Sequence, residues 1–160
     1  MLNINIISVG KVKEAYFKLA IEEYSKRLSK YCSLNIIELQ DEKLPTKHSK
    51  KLLDNVKNKE CQKILPYIKK DSYTICLDLS GTQLSSEQLS QKIQDIALNY
   101  CSTITFIIGG TLGLTQEILN LSDYKLSFSK MTFPHQMIKV FLLEQLFRSF
   151  KISNNETYHW

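Results

Sequence analysis

Residues that could do chemistry concentrate in three stretches of this 160-residue chain. The first is Gly109-Gly110-Thr111-Leu112-Gly113, directly after the apolar run TITFII (103–108). Glycines at such a point let backbone approach a ligand closely. In an open α/β sheet, ligands sit beyond the carboxyl ends of the strands, so the turn is a binding-site candidate. A plain tight turn is the other reading. A dinucleotide fingerprint would need glycine at 111 and 114, where Thr111 and Leu114 stand, and no Lys-Ser/Thr pair completes a phosphate loop.

The second stretch, LSFSKMTFPHQ (126–136), packs Ser129, Lys130, Met131 and Thr132 into a dense loop before Pro134. Met and Phe mixed with small hydroxyl residues suit an apolar slot with backbone donors and acceptors, which fits a flat purine. A buried connection without a ligand is the alternative. The third stretch is the C-terminal end, where Arg148 follows Glu144 by one helical turn and Tyr158, His159 and Trp160 close the chain. The Glu144–Arg148 spacing reads as a helical ion pair, or as an arginine held at a dimer seam where it reaches a phosphate or base. The aromatic end reads as a docked or base-stacking segment, or as a frayed terminus. Of the three histidines, His48 lies in a basic loop and is expected to be solvated, while His135 and His159 flank the last helix without forming a metal set. Cys32, Cys61, Cys76 and Cys101 contain no C-x-x-C pair and are expected to be reduced, structural thiols.

These stretches need elements to hold them. The apolar patterning predicts strands over 4–9, 34–39, 73–79, 103–108 and 126–128, and helices over 13–29, 49–65, 85–98, from about 115, and 134–152. In the first helix, Tyr16, Leu19, Ala20, Tyr24 and Leu28 recur at helical intervals. Ser85-Ser86-Glu87 supplies capping chemistry, and Pro134 fits a first helical turn, with Thr132 or Phe133 near the cap. The alternation predicts an α/β domain with a mostly parallel sheet of about five strands, without repeats or an interdomain linker. The last helix carries Met137, Val140, Phe141, Leu142, Leu143, Leu146, Phe147 and Phe150 around nearly its whole circumference. One sheet cannot cover every side of such a helix, so a homodimer packed on it is expected.

Composition narrows the function classes. With 43% hydrophobic and 23% charged residues and only 5 Gly and 3 Pro, the chain is neither disordered nor collagen-like. No apolar run approaches the roughly 18 residues of a membrane span. The opening MLNINIISVGK lacks an export signal, so a cytoplasmic home is expected. The net charge of +5 is uneven: residues 11–70 hold 15 Lys/Arg against 8 Asp/Glu, residues 71–123 hold 1 against 6, and residues 124–160 hold 5 against 2. Two basic ends that converge in space would steer toward nucleic-acid phosphates, whereas a solvated lysine-rich helix explains the same numbers.

Taken together, FIIGGTLG (106–113), LSFSKMTFPHQMIKVFLLEQLFRSFKI (126–152), ETYH (156–159) and the opening INIISVGKVKEAYF resemble the bacterial ribosomal RNA large subunit methyltransferase H family across the whole chain. The resemblance implies a SPOUT-class α/β fold whose C-terminal segment threads a trefoil knot, binds S-adenosylmethionine and works in an obligate homodimer. Threading of this kind is rare, so the knot rests on the resemblance alone. The implied reaction is methylation of N3 of a pseudouridine in 23S ribosomal RNA. Carried across by motif, Leu77, Gly109, Phe128, Ser129, Lys130, Met131, Thr132 and Phe133 frame the S-adenosylmethionine. His135, Arg148, Tyr158 and His159 fall on the active-site face, where one subunit's tail reaches the other's cofactor, and no metal is implied. Either His135 or His159, with Arg148 in support, would manage the N3 proton. Three positions depart from the family pattern: Trp160 replaces a basic residue, Asn155 a glycine and Lys139 an arginine. A transfer-RNA-directed relative and a non-catalytic RNA-binding or assembly module are the rival readings, and the intact MTFPHQ and GGTLG argue against the second. A protein this small has limited surface for reading RNA, which favours an assembled ribosome as substrate.

Overall fold

Strand and helix alternate as the patterning predicts. The computed structural model describes residues 1–158, with β1 (Leu2–Val9), α1 (Ala15–Leu28), β2 (Cys32–Leu39), α2 (Lys50–Ile64), β3 (Tyr73–Gln83), α3 (Ser86–Asn99), β4 (Thr103–Ile108), α4 (Gln116–Leu121), β5 (Tyr124–Ser127) and α5 (His135–Ser153). The strands form one sheet in the order β2-β1-β4-β3-β5, and every pairing is parallel. All five carboxyl ends therefore open on the same edge, where a parallel α/β sheet places its ligands.

Side-chain alternation along each strand sorts the core into two layers. Ile4, Ile6, Ile75, Ile104 and Phe106 face α1, α3 and α5, whereas Ile7, Val9, Cys76 and Ile107 face α2 and α4. Coverage of both faces explains why TITFII is apolar nearly throughout. Helix starts are set by short hydroxyl side chains. The Ser49 side chain accepts from Leu52 N at 3.3 Å, Thr115 accepts from Ile118 N at 3.4 Å, and Ser85 forms a capping box with Gln88.

Several expectations are corrected. β3 does not stop at Leu79 but continues through Ser80 and Gly81 to Gln83, with a register shift that lets both Leu77 and Thr82 pair with Leu126. Gly81 permits this bulge, because a Cβ there would lie 2.7 Å from the backbone of Lys125. In α1, Tyr16 and Leu19 are 66% and 65% exposed, and the inward face is Ile21, Tyr24 and Leu28. Pro134 itself is the cap of α5 and makes no side-chain capping bond. The expectation that one sheet leaves α5 largely uncovered neglected its neighbours. α5 lies on the sheet between α1 and α3, which buries Leu142, Leu143, Leu146 and Phe147, while Phe141 remains 39% exposed.

A second feature of α5 was unforeseen. Lys139 is 1% exposed, and its Nζ donates to Glu38 Oε2 at 3.0 Å, while the same oxygen accepts from Val12 N at 2.8 Å. One carboxylate thus ties β2, the β1–α1 turn and α5 together. Burial pulls the Lys139 ammonium below its usual range, and Glu38 opposes that shift.

Candidate active site

The carboxyl ends of β3 and β4, the 109–113 turn and the loop between β5 and α5 enclose a cavity of about 330 Å³. That is the size of an ordinary small-molecule site. Leu77, Gly109, Phe128, Ser129, Met131, Thr132, Phe133 and His135 all line it. Residues from four separate segments are thereby brought around one cavity. Lys130 is exposed and does not line the cavity.

Local geometry shapes both sides. The loop is folded on itself by Ser127 Oγ donating to Ser129 O at 3.0 Å and by Met131 N donating to Ser129 Oγ at 3.0 Å. Phe133 stacks edge-on against Phe141 of α5 at 5.5 Å, which holds the loop's far end. On the opposite wall, a Cβ added to Gly109 would lie 2.8 Å from the Gly113 carbonyl carbon. The turn therefore closes only around glycine, and its backbone is open to a ligand. A second cavity of about 290 Å³ adjoins the first across Phe128, Ser129 and Phe133 and reaches Phe141, Glu144 and Gln145.

His135, the first residue of α5, is half-buried against the β1–α1 turn. Its Nε2 stands 2.6 Å from where a Gly10 Cβ would be, and Gly10 has φ +97°. Burial pushes the imidazole below its usual value, Asp41 and Glu14 raise it, and Lys139 lowers it further. The ring is accordingly neutral at pH 7 and able to accept a proton.

Arg148 and Tyr158 do not line this cavity within one chain. Arg148 Nη2 pairs with Glu144 Oε1 at 2.6 Å, Tyr158 OH donates to the same oxygen at 3.2 Å, and the guanidinium lies 4.8 Å from the Tyr158 ring centre. Tyr158 also meets Phe147 edge-on at 4.9 Å. The C-terminal end is thus docked as far as Tyr158. Asn155 adopts φ +54°, a left-handed conformation that asparagine tolerates better than most residues. His159 and Trp160 lie outside the described residues.

Charge is partly neutralised internally. Lys139, Arg148 and Lys151 pair with Glu38, Glu144 and Glu156, whereas Lys57 of α2 stands on the cavity wall. The four cysteines are free, and burial pushes the Cys32 and Cys76 thiols up to about 11 and about 12, far from reactive. Among the described residues, no group of three or more His, Cys, Asp or Glu could hold a metal, and no helix is long and apolar enough to cross a membrane.

Sequence reasoning missed Lys57, Asp78 and Glu60. Asp78 adjoins Leu77 in β3 and lines the cavity. Glu60 is 4% exposed beneath the glycine turn. Its signal was present in the spacing of Val56, Glu60 and Ile64, which puts a carboxylate on the buried stripe of α2.

Residues 2–159 match the family described as "Predicted SPOUT methyltransferase". The chain is 56% identical over 158 residues to the Ribosomal RNA large subunit methyltransferase H of Clostridium novyi (strain NT), with 99% of each covered. It is 54% identical over 158 residues, again with 99% of each covered, to the protein of that name from Clostridioides difficile (strain 630). The fold is similar to the structure of a probable methylase family protein from Haemophilus influenzae Rd KW20, with a TM-score of 0.50 and 13% identity over 98% of this chain and 70% of that one. A five-stranded parallel sheet, a glycine turn facing the 127–134 loop, and a full-length match place this chain in the SPOUT methyltransferase family.

Proposed function

We propose that this chain transfers a methyl group from S-adenosylmethionine to N3 of a pseudouridine in large-subunit ribosomal RNA. The observation that carries the reading is the cavity at the carboxyl ends of β3 and β4, closed by Gly109 and the 127–134 loop, in a chain more than half identical to proteins named for ribosomal RNA methylation. The cavity fits such a donor: its apolar wall of Leu77, Phe128, Met131 and Phe133 suits a purine, and the turn offers backbone where a side chain would collide. When bound, S-adenosylmethionine supplies an electrophilic methyl on a positively charged sulfur.

The protein's own contribution is positioning and exclusion of water. Leu77, Gly109, Ser129, Thr132 and Phe133 orient the donor, and Lys130 at the exposed edge of the loop faces incoming RNA. N3 of the base carries a proton that must leave, and neutral His135 is the acceptor within reach of the cavity.

Two copies act together in this proposal. Tyr16, Leu19 and Phe141 are exposed apolar side chains on the two neighbouring helices α1 and α5, and pairing of these helices across a two-fold axis covers them. Arg148, Tyr158 and His159 of each subunit then serve the other subunit's cavity. In this proposal the C-terminal segment threads a trefoil knot, and the enzyme acts in the cytoplasm on assembled ribosomes.

Incubation with methyl-labelled donor and ribosomes lacking the modification, followed by mass mapping of the RNA, tests the reaction. A methyl on N3 of one large-subunit pseudouridine is expected. Label in transfer RNA, or RNA binding without methyl transfer, overturns it.

A further inference from the structure

We infer that Glu60 is the charge selector of this site, a buried carboxylate beneath the glycine turn that favours a positively charged sulfonium donor over its neutral thioether product. The inference rests on the proposed use of the cavity for S-adenosylmethionine and adds a residue and a purpose to it.

Glu60 projects from the buried stripe of α2 and is 4% exposed. Both carboxylate oxygens lie 3.1 Å from where a Cβ on Gly110 would be, and Gly110 lines the cavity. Oε2 accepts from Glu42 N at 3.0 Å. The next residue, Cys61, accepts from Thr115 N at 3.3 Å through its sulfur, so α2 also holds the start of α4 just beyond the turn.

Among the described residues, no cation forms an ion pair with Glu60. Lys63, one turn along α2, gives its ammonium to Glu42 Oε1 and Gln40 O, both at 2.8 Å. The charged groups around Glu60 are Asp41 and Glu42 from the segment after β2, which disfavour its negative charge, and Lys63 from α2, which favours it. Lys57 of α2 and His135 of α5 stand on the cavity wall, while Val9 of β1 and the turn itself bring no charge. Burial is the largest influence and holds the carboxyl above its usual range. A carboxylate that forms no ion pair in a poorly solvated place is stabilised by a cation arriving nearby.

Methyl transfer removes that cation. The donor's sulfur carries a positive charge and the product's does not, while the rest of the ligand is the same. Glu60 therefore adds affinity for the donor only, and its hold lapses when the methyl leaves, which speeds exchange of product for fresh donor. By linkage, donor binding favours ionised Glu60, so donor affinity falls relative to product affinity as pH drops through the Glu60 range.

Calorimetric titration of wild type and Glu60→Gln with S-adenosylmethionine and S-adenosylhomocysteine tests this. Gln keeps the shape and an acceptor for Glu42 N but removes the charge. Donor affinity should fall about fivefold at neutral pH with product affinity unchanged, and Glu60→Asp should retain the preference. As pH falls from neutral to the ordinary carboxylate value of about 4.5, the donor-to-product ratio should fall in wild type more than in Glu60→Gln, since His135 titrates in both. Equal weakening of the two ligands, or no change in either, overturns the inference while leaving the methyl-donor reading intact. Should Glu60→Gln not fold, a flat wild-type ratio over that range overturns it. Failure of wild type to bind either ligand overturns the methyl-donor reading itself, and this inference with it.

Discussion

A Cβ on Gly109 would sit 2.8 Å from the Gly113 backbone, a clash that no side-chain rotation relieves. Gly109→Val should therefore abolish donor binding in a calorimetric titration while circular dichroism still reports a folded protein, because the turn lies outside the core layers. Lys139 is governed by partnership instead. Lys139→Ala removes the cation from Glu38 and opens a gap beneath α5, and a loss of about 2 kcal/mol is expected by chemical denaturation, moderated because Glu38 is partly exposed. His135 makes a prediction about pH. Its folded value is depressed, so the neutral ring persists at neutral pH and is lost only as pH falls below the ordinary imidazole value of about 6.5. The acid limb of kcat/KM should lie there, and His135→Asn should remove it along with most activity.

At the scale of elements, α5 and the segment after it do separate jobs. The first turn of α5 carries His135 to the cavity, while its middle and last turns hold the tail through Glu144–Tyr158 and Lys151–Glu156, and Tyr31 beyond α1 donates its OH to Glu156 at 2.8 Å. None of residues 154–158 lines the cavity. Removal of residues 154–160 should then leave donor affinity unchanged by calorimetry and stop methylation of ribosomal RNA. Retained methylation would move the RNA-facing residues elsewhere.

For the whole molecule, the proposed dimer would cover the exposed side chains of Phe141 on α5 and Leu19 on α1. Replacing both with Glu should shift the protein to a monomer in sedimentation velocity, with methyl transfer lost, since each tail would no longer meet a neighbour's cavity. An unchanged dimer would place the two-fold contact on another face.

The element order and the two-sided sheet were legible in the sequence because strand and helix periodicities report which faces are buried. TITFII, the Ser85 cap and the glycines after β4 each carry their meaning locally. Motif resemblance added the site, by bringing residues 77, 109 and 128–133 into one expectation and placing His135 on the active-site face. Only the tertiary structure decided what each buried face met. Periodicity places Glu60 on an inward stripe but does not say that a glycine turn lies over it, and the pattern of α5 does not disclose α1 and α3 on either side of it. Glu38 and Lys139 lie 101 residues apart, so their pairing has no local signature. Burial is written in short-range spacing, whereas partnership arises from long-range packing that brings distant segments to the same point.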